Sequence, residues 1–161
     1  MNAIEIANIL KKTTNCFGGV YSSDKIPKKI VPGIAYVINT DCKCLRGKHW
    51  ICIYLDLNSK QCILFDSLGK NPRDYNFLPN IPFIYSTKQL QSLFTATCGQ
   101  FCVLFVQFMN SGFELIDFVN CFDNANTFFN DVSVWLIVNQ TYKLNLPLMN
   151  NNLFTTASMF E

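Results

Sequence analysis

The chain has few histidines, little net charge and no long uninterrupted apolar run, so none of these features assigns it to a functional class. Its 161 residues include one histidine, and 13 basic against 11 acidic side chains give a formal charge of only +2. Such a mild balance neither requires nor excludes nucleic acid as a partner. The length is that of one domain with a core of its own, so we expect a single domain over residues 1–161.

A long apolar run is also missing. The longest charge-free stretch, residues 89–113, is interrupted by Gln, Ser, Thr, Asn and Gly, whereas a membrane span needs about 20 mostly apolar residues. The first residues, "MNAIEIANILKK", carry Glu5 where a secretory signal has its apolar core, with no basic residue before it. We therefore expect a protein that is not secreted and has no membrane partner.

The cysteines lack the spacing of a disulfide framework. There are eight, at positions 16, 42, 44, 52, 62, 98, 102 and 121, and in a reducing interior we expect all of them to be free thiols. A metal-binding module would have to use Cys42, Cys44, His49 and Cys52. Structural zinc sites usually space their cysteines as Cys-x2–4-Cys pairs, so this set is a poor match, and we predict no metal site.

The first half of the chain predicts a helix followed by strands. Residues 3–12 have apolar side chains at helical spacing, with Asn2 placed to cap the start. Residues 16–29 combine Gly, Ser, Asp and Pro and predict a loop. Runs of β-branched and aromatic residues predict strands at 33–40 and 82–87 and a hairpin of two buried strands at 49–57 and 61–69.

The second half predicts helices. From Cys98 to about Asn110 there is no proline or charge, and apolar residues cover every face, which is typical of a helix in the middle of a domain. Ser111 and Gly112 supply a stop signal, and further helices are predicted at 114–121 and about 126–140. Helix, strands and then helices indicate an α+β fold, with a small mixed sheet packed on the central helix.

Two residues of the predicted hairpin form a candidate pair. His49 stands immediately before Trp50 at the head of one strand, and Asp66 closes the neighbouring strand. Because adjacent hairpin strands bring such positions together, Asp66 is expected to accept the Nδ1 proton of His49 and to fix its tautomer. Taken singly, each residue has an ordinary reading, as a packing histidine and a turn-forming aspartate.

Cys98 is a candidate nucleophile at the start of the central helix. The positive end of the helix dipole and a nearby imidazolium both lower the pKa of a thiol, and Gly99 would leave room for substrate beside it. Although a buried cysteine is usually just a small apolar residue, Cys98, His49 and Asp66 together supply the nucleophile, base and orienting group of a cysteine hydrolase.

These residues carry a family resemblance. The motifs His-Trp, Phe-Asp-Ser-x-Gly and Gln-x6-Cys-Gly, within "GKHW", "LFDSLGKNP" and "QSLFTATCGQFC", resemble the adenovirus-type cysteine proteases (adenains), which are related to the SUMO-deconjugating Ulp proteases. The match extends from "FGGVYSSDKIP" and "YVINTD" to "FFNDVSVW", roughly residues 17–138. The resemblance implies the papain-like fold of the adenains, with the central helix starting at the nucleophile.

The resemblance also implies a role for each matched residue. Cys98 corresponds to the nucleophile, His49 to the general base and acid, and Asp66 to the acidic orienting residue. Gln91 corresponds to the glutamine whose side-chain amide, with the Cys98 backbone N–H, binds the oxyanion. The substrate-binding positions are Trp50, which corresponds to the aromatic residue beside the catalytic histidine, and Gly99, the glycine after the nucleophile.

The implied function is a cysteine endopeptidase that cleaves viral precursor proteins of the capsid or core at glycine-containing sites. Such an enzyme acts in the host nucleus or cytoplasm and in the virion, and its chemistry requires no cofactor. The resemblance also implies DNA and a short viral peptide as possible activators. This chain, however, is shorter than the adenoviral enzymes and nearly neutral where they are strongly basic, and it shows no identifiable cysteine that would tether such a peptide. Thr97 replaces the aspartate that cellular Ulp enzymes commonly have, which favours the viral branch.

Two alternatives keep the same fold. One is a deconjugating protease for ubiquitin-like modifiers of the SUMO type. The other is a catalytically inactive structural protein of the virion, against which the four intact catalytic positions argue.

Overall fold

The computed structural model describes residues 1–45 and 47–144, with side chains up to Thr141. In this part of the chain, the α-helices pack on one face of a single sheet. The strands are β1 (Phe17–Ser22), β2 (Ala35–Asn39), β3 (Trp50–Leu55), β4 (Cys62–Phe65) and β5 (Phe83–Tyr85). The α-helices are α1 (Ala3–Thr13), α2 (Cys98–Asn110), α3 (Leu115–Asn120) and α4 (Thr127–Leu144), and a short 3₁₀ helix spans Pro72–Asp74.

The sheet is mixed. Its strands lie in the order β1-β2-β3-β4-β5, so each strand pairs with its neighbour in sequence. The central pairs β2–β3 and β3–β4 are antiparallel, whereas the outer pairs β1–β2 and β4–β5 are parallel. The predicted hairpin is therefore confirmed, with Cys52 opposite Phe65. This pairing brings the head of β3 close to the end of β4.

The two faces of the sheet build two separate cores. Alternating side chains divide β3, because Cys52 and Tyr54 face the helices while Ile51 and Ile53 face the loops on the other side. On the helical face, Phe65 of β4 stacks on Phe105 of α2 with ring centroids 4.6 Å apart. The helix that begins at Cys98 is thus fixed directly against the strands that bear the candidate histidine and aspartate.

The predicted α+β class is confirmed, and so is the central helix. Residues 98–109 of α2 are all buried, which explains why its sequence has no polar face. Helix α1 begins after Asn2, whose side chain accepts a hydrogen bond from the Glu5 backbone in a capping box. None of the helices among the described residues is both long and apolar enough to cross a bilayer.

The predicted loop at 16–29 is wrong for residues 17–22, which form the edge strand β1. The glycines that indicated a loop instead permit close packing within the strand. A Cβ atom added at Gly18 would lie 2.5 Å from Cγ2 of Ile34 and 2.6 Å from Cε1 of Tyr36. Gly19 has φ of +138°, next to an irregularity in the pairing with β2. The tail at 146–161, for which the sequence predicts no element, lies outside the described residues.

The expectation of eight free thiols is also wrong. A turn in which the Leu45 N–H donates to the carbonyl of Cys42 folds the loop after β2 back on itself. The Cα atoms of Cys42 and Cys44 are consequently 5.4 Å apart, and the two residues form a disulfide. The other six cysteines are free.

Candidate active site

His49 and Asp66 meet where β3 begins and β4 ends. The Nε2 atom of His49 lies 2.6 Å from Oδ1 of Asp66, and both side chains are buried. The sequence predicts this pairing through Nδ1 of His49. That choice of ring nitrogen is wrong, because Nε2 faces Asp66. Which imidazole nitrogen faces a partner depends on the rotation of the ring, which strand pairing does not fix. With Nε2 used by Asp66, Nδ1 is the nitrogen left for the thiol of Cys98.

Asp66 is held on both oxygens. Oδ1 also accepts a hydrogen bond from the backbone N–H of Leu68 at 2.8 Å, and Oδ2 accepts one from the hydroxyl of Tyr75. A carboxylate with all these donors keeps one orientation and stays ionised. The hydrogen bonds and charge of His49, followed by the Tyr75 hydroxyl, outweigh the effect of burial and lower the pKa of Asp66.

Cys98 is the first residue of α2 and retains 6% of its surface exposed. Burial opposes a charge on its sulfur, but a hydrogen bond to His49 and the positive charge of the imidazolium outweigh burial. Backbone N–H groups of Trp50 and Gly99 act in the same direction. The pKa of Cys98 therefore lies below the ordinary value for a thiol.

The imidazole of His49 responds to the same contacts. Burial alone would lower its pKa, but the hydrogen bonds and negative charges of Asp66 and Cys98 raise the pKa of His49 to about 9. The lowered pKa of the thiol and the raised pKa of the imidazole belong to one coupled pair, and both shifts favour a thiolate beside an imidazolium. This is the form in which a cysteine attacks a carbonyl.

Other cysteines show the opposite shift. Burial raises the pKa of Cys16 and of Cys62 to about 11, and it also raises that of Cys102, which lies one helical turn after Cys98. The pKa of Cys121 is raised as well, by burial and by the charge of Asp117. The lowered pKa at Cys98 therefore results from its position at the head of α2 next to His49.

Gln91 is buried and fixed by the loops around it. Its backbone N–H donates to the carbonyl of Ser67, and its Oε1 accepts a hydrogen bond from the Ser67 hydroxyl at 2.7 Å. Its Nε2 donates to the carbonyl of Thr95 at 3.0 Å. Nε2 also lies 3.5 Å from the hydroxyl oxygen of Thr95. An amide nitrogen carries two hydrogens, so an oxyanion that binds the second one would have to compete only with this longer contact.

Trp50 and Gly99 lie against each other beside the thiol. A Cβ atom added at Gly99 would be 3.4 Å from Cδ1 of Trp50 and 2.8 Å from Cβ of Met1. The indole N–H of Trp50 donates to the carbonyl of Met1 at 3.2 Å. The space that glycine provides at this position is therefore filled by Met1 in this structure. From Trp50, a cleft of about 530 Å³ extends between β1 and the loop after β2.

Several residues that order the site had not been identified from the sequence. Ser67 belongs to the Phe-Asp-Ser-x-Gly motif, but we had interpreted it only as part of a turn. Tyr75 has no sequence signal, because its neighbours form an ordinary polar loop. Asp131 of α4 contacts the loop before Cys98. A sequence signal for it existed, because Asp131 lies one helical turn before the apolar Val134 and so on the buried face of the predicted helix, where a charged side chain needs a partner.

The residues considered as a metal module do not form one. Cys42 is bonded to Cys44, His49 contacts Asp66 and Cys98, and the thiol of Cys52 points to the Cys102 carbonyl of α2. Within residues 1–45 and 47–141, no group of three or more His, Cys, Asp or Glu side chains is arranged to bind a metal ion.

No protein-family model matches this chain, and neither does any curated protein.

Proposed function

We propose that this protein is a cysteine endopeptidase with the papain-like fold of the adenains. The observation that carries the proposal is the position of His49, which hydrogen-bonds Asp66 and lies near enough to Cys98 for each of the two groups to shift the pKa of the other. The three residues come from β3, β4 and α2 regions that pack directly together. A merely structural histidine would not require both a buried carboxylate and a thiol of lowered pKa as its neighbours.

In the acylation step, the thiolate of Cys98 attacks the carbonyl carbon of the scissile peptide bond. A carbon–sulfur bond forms while the carbonyl π electrons move to the oxygen. The backbone N–H of Cys98 and the second Nε2 hydrogen of Gln91 stabilise this oxyanion. When the intermediate collapses, the carbon–nitrogen bond breaks, and the imidazolium of His49 gives its proton to the departing amine.

In the deacylation step, water hydrolyses the thioester. His49, now neutral, removes a proton from the water as its oxygen attacks the thioester carbon. The second oxyanion collapses, the carbon–sulfur bond breaks, and Cys98 leaves as the thiolate. The hydrogen bonds to both oxygens of Asp66 keep the imidazole in one orientation through both proton transfers.

The substrates in this proposal are viral precursor polypeptides, cut next to glycine. Trp50 lies beside Gly99 at the head of α2, where an extended peptide would have to pass to reach the thiol. The closely related alternative is a protease for ubiquitin-like modifiers, whose tails also present glycine at the scissile bond. Both substrates place the same demand on the cleft, so substrate trials must separate them.

The proposal is tested with panels of viral capsid and core precursors and of SUMO and ubiquitin fusions. We expect mass spectrometry to find new termini after glycine in the precursors, with wild-type protein and with Cys121→Ala. Cys98→Ala should give none. Cys121 is the matched control because it is also a free cysteine, but it is exposed and caps the C-terminus of α3, away from His49. Cleavage by Cys98→Ala, or no cleavage of any panel member by the wild type, would contradict the proposal.

A further inference from the structure

We propose that Asp131 of α4 is a positioning residue that fixes the segment between Gln91 and Cys98, here named the oxyanion loop (residues 91–98). This inference rests on the proposed peptidase function and extends it to a residue outside the catalytic set. Asp131 follows Gln91 by 40 positions and comes from a different element of the fold. Its effect on the chemistry is exerted through the loop and not by contact with substrate.

Asp131 accepts hydrogen bonds from three residues of the oxyanion loop. Its Oδ2 lies 3.0 Å from the backbone nitrogen of Ser92 and 2.8 Å from Oγ1 of Thr95, and its Oδ1 accepts from the hydroxyl of Thr97. The side chain is 2% exposed. A buried carboxylate is costly unless its oxygens are satisfied by donors, and here these three donors all come from the loop.

One of these contacts leads to the oxyanion donor. The Thr95 hydroxyl is bound to Asp131, and the Thr95 carbonyl accepts one hydrogen of the Gln91 amide at 3.0 Å. Fixing Thr95 therefore fixes the plane of the Gln91 amide and the direction of its remaining hydrogen. Because oxyanion donors act only at short and defined distances, a small displacement of this amide matters.

A second contact reaches the nucleophile. Thr97 is the N-cap residue of α2, but its hydroxyl makes no capping bond with the helix. It donates to Asp131 instead. The carboxylate thus holds the residue directly before Cys98, whose own backbone N–H is the other oxyanion donor in the proposed mechanism. Both donors are consequently positioned by the same side chain.

The neighbouring residue supports the same loop from the other end. Nδ2 of Asn130 donates to the carbonyl of Leu90 at 3.0 Å and to that of Asp123 at 2.6 Å. Two consecutive polar residues of α4 therefore hold the loop on both sides of Gln91. Only Asp131, however, contacts residues between the two oxyanion donors.

The test uses truncation and rescue variants in the full chain. Asp131→Ala removes the carboxylate acceptors of the Ser92 N–H and of the Thr97 hydroxyl, while the Thr95 hydroxyl is left with the Ser92 carbonyl 3.1 Å away as its acceptor. Asp131→Asn keeps an acceptor oxygen for Ser92 and Thr95, and its amide can donate to the Thr97 hydroxyl, which then acts as acceptor. Asp117→Asn on α3 is the matched control, because this aspartate is exposed and its contacts lie within its own helix.

Two probes separate the oxyanion donors from the nucleophile. In N-acetyl-glycyl-glycinal, the thiolate of Cys98 adds to the aldehyde carbon and the carbonyl oxygen takes a proton from the imidazolium, so the resulting thiohemiacetal oxygen lies at the oxyanion donors. Iodoacetamide is attacked at its CH₂ carbon with loss of iodide, which creates no oxyanion. Binding of the aldehyde thus reports on the loop, whereas the alkylation rate at pH 6 reports on the thiolate.

We expect Asp131→Ala to bind the aldehyde at least about 10-fold more weakly, since a displacement near 1 Å can cost about 10²-fold. Its alkylation rate should stay within about threefold of wild type. Asp131→Asn should bind the aldehyde within about fivefold of wild type, and Asp117→Asn should match wild type. If Asp131→Ala does not fold by thermal melting, Thr95→Val takes its place, with the same separation of the two probes expected.

The inference is overturned if Asp131→Ala binds the aldehyde as wild type does, or if it loses aldehyde binding and alkylation in equal measure. It is also overturned if Asp131→Asn binds the aldehyde as weakly as Asp131→Ala. Loss of the hydrogen-bond acceptors at position 131 would then not explain the weaker binding. Failure of the peptidase proposal looks different. In that case wild-type protein itself binds no aldehyde, whatever stands at position 131.

Discussion

His49 and Asp66 form a buried hydrogen bond in which Nε2 and Oδ1 are 2.6 Å apart. Both oxygens of that carboxylate accept further hydrogen bonds, Oδ1 from the Leu68 backbone N–H and Oδ2 from the Tyr75 hydroxyl. The imidazole is therefore held by a group that cannot easily reorient, and its other nitrogen remains available for Cys98. The reactivity of the thiol depends on this chain of contacts from β4 through β3 to α2.

Selective alkylation is the first expected consequence. The pKa of Cys98 is lowered, while that of Cys16 and Cys62 is raised to about 11. At pH near 6, well below an ordinary thiol pKa of about 8.5, iodoacetamide should modify Cys98 ahead of the other free cysteines. Peptide mapping after a short reaction measures this order. The exposed Cys121 is the internal control, and its modification before Cys98 would refute the thiolate.

The pH dependence of turnover should follow His49. Its pKa is raised to about 9 by Asp66 and Cys98, so the imidazolium needed to protonate the departing amine is lost as the pH rises through about 9. In Asp66→Asn, the carboxylate charge that raises the pKa of His49 is lost. The alkaline limb of kcat/KM should therefore move to lower pH. We also expect kcat to fall by about 10²–10⁴, since a misoriented base remains present.

The control for that substitution is Asp74→Asn. Asp74 is an exposed acid in the 3₁₀ helix next to Tyr75, so its variant tests the loss of a nearby charge without loss of the contact to His49. Its pH profile should overlay that of the wild type. An unchanged alkaline limb in Asp66→Asn would show that Asp66 does not set the pKa of His49.

Tyr75 should stabilise the site as well as the fold. Tyr75→Phe leaves Oδ2 of Asp66 without the hydroxyl donor, and an unsatisfied buried group typically costs about 1–3 kcal/mol. We expect the free energy of unfolding in urea to drop by that amount near pH 7. Tyr85→Phe is the matched control, because its hydroxyl accepts a hydrogen bond from Asn71 away from the site. Equal losses for the two variants would contradict a special role for Tyr75.

The fold was largely predictable because its main signals are local. The charge-free run from Cys98 to Asn110 could only be a buried element, and its length favours a helix, which the structure confirms with the same bounds. The edge strand β1 was missed because Gly18 and Gly19 normally indicate a loop. Here Gly18 permits the close approach of Tyr36, a contact that becomes visible only when β1 and β2 are paired.

The site was predictable only as far as strand pairing and helix position determine it. These two features bring His49 near Asp66 and set Cys98 at the positive end of α2. The choice of Nε2 depends on side-chain rotation, and the contacts of Tyr75 and Asp131 depend on tertiary packing between distant segments. No pattern within a short window contains that information, so both residues were found only in the structure.

Gln91→Ala should act on kcat more than on KM. The oxyanion exists only after attack, so a donor that binds it contributes to the transition state and not to the bound substrate. Loss of one such donor typically costs about 10²–10³ in rate. The matched control is Gln89→Ala, since the Gln89 side chain donates to the backbone carbonyl of Gln91 and not to the Gln91 amide that would bind the oxyanion. A rise in KM with kcat unchanged would mean that Gln91 binds substrate instead.

Glycine should be required directly before the scissile bond. Trp50 lies beside Gly99 at the head of α2, and we expect its indole to form one wall of the approach to Cys98, so that an extended peptide passing it has little lateral room. A β-carbon on that substrate residue would hold the carbonyl away from the attack distance of about 3–3.5 Å. We expect cleavage after Gly-Gly or Gly-x sequences, with an aliphatic residue a few positions upstream.

Peptides that differ only in the residue before the bond measure this requirement. Replacing glycine by valine should lower kcat/KM by at least about 10²-fold, with alanine between them, because the near-attack geometry is lost. In Trp50→Ala, the wall is removed, so the ratio between the glycine and valine peptides should shrink even though the absolute rate falls. Comparable rates for the two peptides with wild-type enzyme would show an open cleft. A ratio unchanged in Trp50→Ala would place the selectivity elsewhere in the site.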